Sequence, residues 1–142
     1  MATVKQILDR KGYTVWTITP DKTVFEALRL MGEKEIGALA VVDDGQLVGM
    51  LSERDYARKV VLKGKTSRET LVHSIMSSPV HAVAPDQSVA ECMAIMTEER
   101  IRHLPVLERG QLIGMISQGD LVKFIIQEQQ FIIDQLENYI AR

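Results

Sequence analysis

A single cysteine, Cys92, occurs in 142 residues. No intrachain disulfide framework can form, which fits a reducing cytoplasm. Aromatic residues make up only 5% of the chain, and the formal net charge is −2, with Lys and Arg scattered rather than gathered in runs. That balance gives no electrostatic case for a nucleic-acid partner. No apolar run approaches the roughly 20 residues needed to span a bilayer. The opening Met1-Ala2-Thr3-Val4-Lys5-Gln6 has no apolar signal-peptide core. The expectation is therefore a cytoplasmic protein with no membrane partner. His73, His81 and His103 lack metal-ligand spacing with Cys92 or with carboxylates. No phosphate loop or nucleophile elbow is present, and Ser52 has no neighbouring histidine to act as its base. Neither a metal site nor a catalytic set is expected, so the chain does not read as an enzyme.

What is present is one short stretch, twice. Gly49-Met50-Leu51-Ser52-Glu53-Arg54-Asp55 returns as Gly114-Met115-Ile116-Ser117-Gln118-Gly119-Asp120. The offset of 65 (120 − 55) runs without a gap from Val15/Val80 to these aspartates. It pairs Pro20-Asp21 with Pro85-Asp86, Glu26 with Glu91, Met31 with Met96, Val41 with Val106, and Gly45-Gln46-Leu47 with Gly110-Gln111-Leu112. Chance does not hold glycines, prolines and apolar positions in one register, so this is an internal duplication. At 46% hydrophobic and 25% charged the composition is that of one ordinary globular domain. Each half, about 60–70 residues, would be marginal alone, so the halves are expected to pack together.

The elements follow from local signals. Thr3 caps a short helix that ends at Gly12. Val15–Thr19 reads as a strand stopped by Pro20. Thr23 and Glu26 form a capping box for a helix carrying Val24, Ala27, Leu28, Leu30 and Met31 and ending near Glu35. Leu39–Val42 and Gln46–Leu51 form a hairpin about Asp43-Asp44-Gly45. Ser52 starts a helix through about Leu62. Each unit is thus strand–helix–strand–strand–helix, an α/β (α+β) arrangement, with a division into residues 1–68 and 69–142. The last helix runs on: Val122, Ile125, Gln129, Ile132, Leu136 and Tyr139 fall at alternating three- and four-residue steps, a heptad-like seam suited to self-association. Cys92 and Met96 fall on core faces of their helix.

Thr19-Pro20-Asp21-Lys22-Thr23-Val24, Ala84-Pro85-Asp86-Gln87-Ser88-Val89, Ile101-Arg102-His103-Leu104-Pro105-Val106, the lead-in Val72–Ser77 and both Gly-x-x-Ser-x-x-Asp segments together resemble a tandem pair of CBS domains, a Bateman module. The likeness covers essentially the whole chain. It implies two β-α-β-β-α repeats related by a pseudo-twofold axis, with an extended C-terminal helix. It implies two clefts between the repeats that take an adenosine-bearing ligand: AMP, ADP, ATP or NAD(H), with S-adenosylmethionine ranked behind them. It also implies a homodimer that senses and regulates an unknown protein and does not catalyse. The length leaves no room for an attached catalytic domain, so the chain reads as a free-standing module. The competing reading is a ligand-free structural or protein-interaction module that works through dimerisation.

On this sequence the resemblance assigns the ribose to Asp55 with Ser52 and to Asp120 with Ser117. Independently, a carboxylate can accept two adjacent hydroxyls in charge-assisted bonds, and a Ser at a helix start leaves N–H groups that suit an anion. The adenine walls are expected from Thr17-Ile18 or Ala82-Val83 of the opposite repeat, with Met50 or Met115. Arg102 and His103 take positions that meet phosphates in the family, whereas their counterparts Gly37-Ala38 bring no charge. Arg54 and Arg58 border the Asp55 cleft, and Gly119 replaces Arg54 in the other repeat. The Asp55 cleft is therefore expected to hold a phosphorylated ligand more tightly.

Overall fold

The computed structural model describes residues 2–141. Its elements, in order, are α1 (Val4–Lys11), β1 (Thr17–Ile18), α2 (Val24–Lys34), β2 (Ala38–Asp43), β3 (Gln46–Ser52), α3 (Glu53–Tyr56), α4 (Val72–Ile75), α5 (Val89–Glu99), β4 (His103–Glu108), β5 (Gln111–Ser117) and α6 (Gln118–Ala141). Local chemistry explains most boundaries. The Thr23 and Ser88 hydroxyls accept from the backbone N–H of Glu26 and Glu91, at 3.2 and 3.0 Å, and so start α2 and α5. Both helices stop at a residue in the left-handed region, Glu35 and Arg100, each with φ 55°. The hairpins β2–β3 and β4–β5 turn on Asp44-Gly45 and Arg109-Gly110, where both central residues have positive φ. Such primed turns match the twist of the strands they join.

β2 and β3 pair antiparallel, with Val41 opposite Gly49, and β4 and β5 repeat that register with Val106 opposite Gly114. Both ladders shift register immediately after that pair. β1 adds a parallel third strand, Thr17 to Ala40 and Ile18 to Val41. The equivalent strand of the second unit contracts to a single parallel bridge between Val83 and Val106. Pro105 stands where Ala40 stands in the first sheet and has no N–H with which to extend the ladder. The helix opened by Ser52 also departs from expectation. After one α turn it widens into a π-helical segment, Ala57–Val61, while its counterpart α6 continues unbroken.

Two cores form, and the lead-in segments are exchanged between them. Val4, Ile7 and Leu8 of α1 pack with Val89, Met96, Leu104, Val106, Ile116, Leu121 and Phe124 of the second unit. Val72 and Ile75 of α4 pack with Val24, Met31, Leu39, Val41 and Leu51 of the first. Backbone bonds repeat the exchange: Val4 N–H donates to Gln87 and Val72 N–H to Lys22, while Lys5 N–H donates to Pro85 and His73 N–H to Pro20. The cut at 68/69 follows the sequence repeat, but each core contains the other half's leader. The motif glycines are explained by this exchange. A Cβ on Gly114 would lie 2.8 Å from Leu8 Cδ2, and one on Gly49 would lie 2.5 Å from Met76 Sδ. Only a residue without a side chain lets the crossing lead-in approach so closely.

Candidate ligand clefts

Ser52 ends β3 and Asp55 lies one turn into α3, so both face the space between the units. The Ser52 N–H donates to Asp55 Oδ2 at 2.9 Å, and the Asp55 N–H donates to the Ser52 hydroxyl at 3.2 Å. The second copy repeats this, with Ser117 N–H to Asp120 Oδ2 at 2.8 Å and Asp120 N–H to the Ser117 hydroxyl at 3.0 Å. In both copies the Ser-x-x-Asp unit is thus a capping box. The box fixes each carboxylate in place, and each aspartate lines a hollow.

The Asp55 hollow encloses about 680 Å³, within the range of small-molecule sites. Met50, Ser52, Arg54, Asp55 and Arg58 line it from the first unit, and Arg102 and His103 from the second. Lys59 and Arg100, which local sequence reasoning passed over, also line it. Its charged wall holds five cations, Arg54, Arg58, Lys59, Arg100 and Arg102, against two carboxylates, Glu53 and Asp55. Lys59 Nζ lies 3.2 Å from Asp55 Oδ1 and donates to the Ile75 carbonyl at 2.8 Å.

The Asp120 hollow is smaller, about 390 Å³, and brings Met115, Ser117 and Asp120 against Val15, Trp16, Glu35 and Ile36 of the first unit. Among the described residues its one Lys or Arg is Lys11, from α1. The Lys11 ammonium forms an ion pair with Asp120 Oδ2 and donates to the Met115 carbonyl at 2.6 Å. Burial pushes the Asp120 carboxyl upward, but the bond from Lys11 and those from Ser117 outweigh it, and the net shift is down. His103 lines both hollows at their junction over Gly37. Its imidazole is held below the ordinary value, first by burial and then by the Lys11 and Arg102 cations, against the opposing pull of Asp120.

Four residues expected as adenine walls lie elsewhere. Thr17 and Ile18 line a separate hollow with Thr19, Lys22 and Glu26, away from both motif aspartates. Ala82 and Val83 line neither cleft, and Val83 is buried in the second core. The residues of the opposite repeat that line the two hollows lie about two positions earlier, Val80-His81 and Val15-Trp16. The first strand of each unit turns into its own sheet, so only the segment leading into it borders the cleft. Cys92 is buried in the second core, and burial pushes its thiol up to about 11. Among the described residues no group of three His, Cys, Asp or Glu side chains is placed to hold a metal ion. No described helix is long and apolar enough to cross a membrane.

Two β-α-β-β-α units, each bound by the other's leader and facing a cleft with a capped aspartate, define a tandem-repeat module. The chain belongs to the CBS domain family, whose pattern matches residues 4–62 and 72–127. It is similar to the mitochondrial CBS domain-containing protein CBSX3 of Arabidopsis thaliana, 36% identical over 97% of this chain and 71% of that protein. The solved structure of a putative signal-transduction protein with CBS domains from Burkholderia ambifaria is 53% identical, covers 90% of this chain and 96% of its own, and superposes with a TM-score of 0.87. A hexameric CBS-CP12 protein from bloom-forming cyanobacteria is 29% identical over 86% of this chain and 70% of its own, with a TM-score of 0.77. CBS pairs of this kind are in general regulatory, ligand-binding modules rather than catalysts.

Proposed function

We propose that the protein is a cytoplasmic regulatory module that binds an adenosine-bearing nucleotide (AMP, ADP, ATP or NAD(H)) in the Asp55 cleft. One observation carries this reading: a 680 Å³ hollow joins a fixed carboxylate to a wall of five cations. Asp55 suits the ribose hydroxyls, which would replace Lys59 at Oδ1 and release its ammonium toward a phosphate. Arg54, Arg58, Arg100 and Arg102 suit the phosphates, and Met50 and Val80 offer apolar surface to the base. A thermal-shift series with AMP, ADP, ATP, NAD and S-adenosylmethionine tests the reading, since a ligand that binds only the native state raises the melting temperature. A rise with one or more of the four nucleotides is expected. No rise with any of them rejects it.

The same reading includes a second copy of the chain, held through α6. Beyond Phe124 this helix leaves the body, and Ile126, Phe131, Ile132, Ile133, Leu136, Tyr139 and Ile140 are all exposed. With Val122 and Ile125, all of these but Phe131 form a stripe three positions wide per heptad, the width of a helix in a bundle. Residues 127–141 carry Glu128, Asp134 and Glu137 and no Lys or Arg, whereas Arg10 and Lys123 stand at the helix base. Light scattering is expected to give a dimer or larger assembly for the native chain and a monomer for I132E/L136E. A monomeric native chain contradicts this part. The base of α6 is tied to the body by α1, whose Arg10 donates to Glu128 at 2.6 Å and lies over the Phe124 ring. A ligand shifts such an arrangement only by preferring one state.

A further inference from the structure

The two lead-in segments follow one template, displaced by 68 residues (71 − 3) instead of 65. Thr3 matches Leu71, Val4 matches Val72, Ile7 matches Ile75 and Leu8 matches Met76. Thr3 and Leu71 make equivalent bridges, to Ser88 and Thr23. Beyond that point the two copies part. The second lead-in leaves the helix at Ile75, and Ser77 pairs with Met50 through two backbone bonds, of 2.8 and 3.1 Å. The first remains helical through Lys11. Position 11 corresponds to Pro79 in the other copy (11 + 68), so one cleft receives a lysine where the other receives an uncharged ring.

The extra helical turn delivers the Lys11 ammonium to the two groups that the motif offers on that side, the Asp120 carboxylate and the Met115 carbonyl. Lys59 reaches Asp55 from its own helix, four residues on, and leaves four arginines free in that cleft. Lys11 instead crosses from a separate element and is, among the described residues, the only Lys or Arg of its cleft. With Lys11 paired to Asp120, Glu35 is the remaining charged group in the lining, His103 aside, and it repels phosphate. Arg10, one residue earlier, is tied to Glu128 and holds the last turn of α1 in place.

We infer that Lys11 is a built-in occupant of the Asp120 cleft, holding the ribose-binding carboxylate and limiting the module to one nucleotide per chain. This inference rests on the nucleotide reading of the motif aspartates. The site it closes is a latent second one for the same ligand class. Removing the ammonium frees Asp120 and the Met115 carbonyl and leaves His103 as the group nearest to phosphate.

Calorimetric titration with AMP tests it, using wild type, K11M, K11R, D55A and D55A/K11M, with far-UV circular dichroism on each. The expected stoichiometry is one AMP per chain for wild type and K11R, two for K11M, none for D55A and one for D55A/K11M. The affinity of the opened site is expected to fall within about tenfold of the first. Should K11M lose the native spectrum, K11Q, which can still donate to the Met115 carbonyl, takes its place. One site in K11M with none in D55A/K11M overturns the inference while leaving the nucleotide reading intact. Two sites in wild type overturn it in the same way. Binding by D55A/K11M where wild type binds nothing removes the Asp55 assignment and keeps the inference. No binding by any variant removes both.

Discussion

The two clefts are built from duplicated sequence, yet they differ in nearly everything that would matter to a ligand. Both have a strand ending in Ser, a capped Asp one turn later and a Met on the floor. One is about 680 Å³ with a cationic wall, and the other is about 390 Å³ with its single lysine already paired. The backbone plan is therefore symmetric and the electrostatics are not. Duplication preserved what folding needs, namely caps, hairpin turns and the glycines beneath the crossing leaders. It left free the side chains at the rim: Arg100 against Glu35, Arg102 against Gly37, and Pro79 against Lys11. One repeat kept a carboxylate with cations around it, and the other satisfied its carboxylate from within.

Removing charge from the larger cleft should have the largest effect. R100A/R102A is expected to weaken ATP binding by about 100-fold while leaving adenosine within about threefold, since charge-assisted contacts to phosphate carry the difference. Equal losses for both ligands would break the electrostatic part of the comparison. Packing beneath the motif gives the next effect. Gly114→Ala drives a Cβ into Leu8, which is fully buried, and should cost about 2 kcal/mol by urea unfolding. Gly49→Ala meets Met76 closer to its root, with Sδ at 2.5 Å, Cγ at 2.9 Å and Cβ at 3.2 Å, and should cost at least as much. A reversed order would show that the two leaders are not packed as described.

A smaller effect is expected at Arg100. It holds a left-handed backbone, φ 55°, at the end of α5, where glycine is favoured. Arg100→Gly should raise unfolding stability by about 1 kcal/mol and lower ATP affinity several-fold. Gain on both counts would remove Arg100 from the binding wall. The smallest effect belongs to His103. Its depressed native value means that the unfolded chain takes up the proton first as pH falls through the ordinary range near 6.5. Stability should therefore decline between pH 7 and pH 5.5, and H103Q should flatten that slope in thermal melts. An unchanged slope would deny the imidazole its buried setting.

The parts legible in the sequence are those written locally. The offset of 65 exposed the duplication, Thr23-x-x-Glu26 and Ser88-x-x-Glu91 marked helix starts, and Asp-Gly marked a turn, because each depends on residues within a few positions. The capped aspartates and the arginines on their helix were visible for the same reason. Hidden were the relations made by the path of the chain through space. The leaders' own repeat lies at 68, so an ungapped comparison at 65 misses it, and with it the exchange of α1 and α4. Lys11 meets Asp120 across 109 residues (120 − 11), and no spacing rule joins them. Thr17-Ile18 and Ala82-Val83 line neither motif hollow, because each pair belongs to the strand or bridge of its own unit. The contraction of the second unit's first strand to one bridge was not read from the sequence, because the effect of Pro105 shows only in its register against Val83.

On the proposed function, a phosphorylated adenosine ligand enters at Asp55 and not at Asp120. Titration of AMP into Asp55→Ala and Asp120→Ala, side by side with the native chain, tests it most directly. The account predicts that affinity drops at least tenfold in Asp55→Ala and stays within about threefold of native in Asp120→Ala. A greater loss in the Asp120 variant would contradict it.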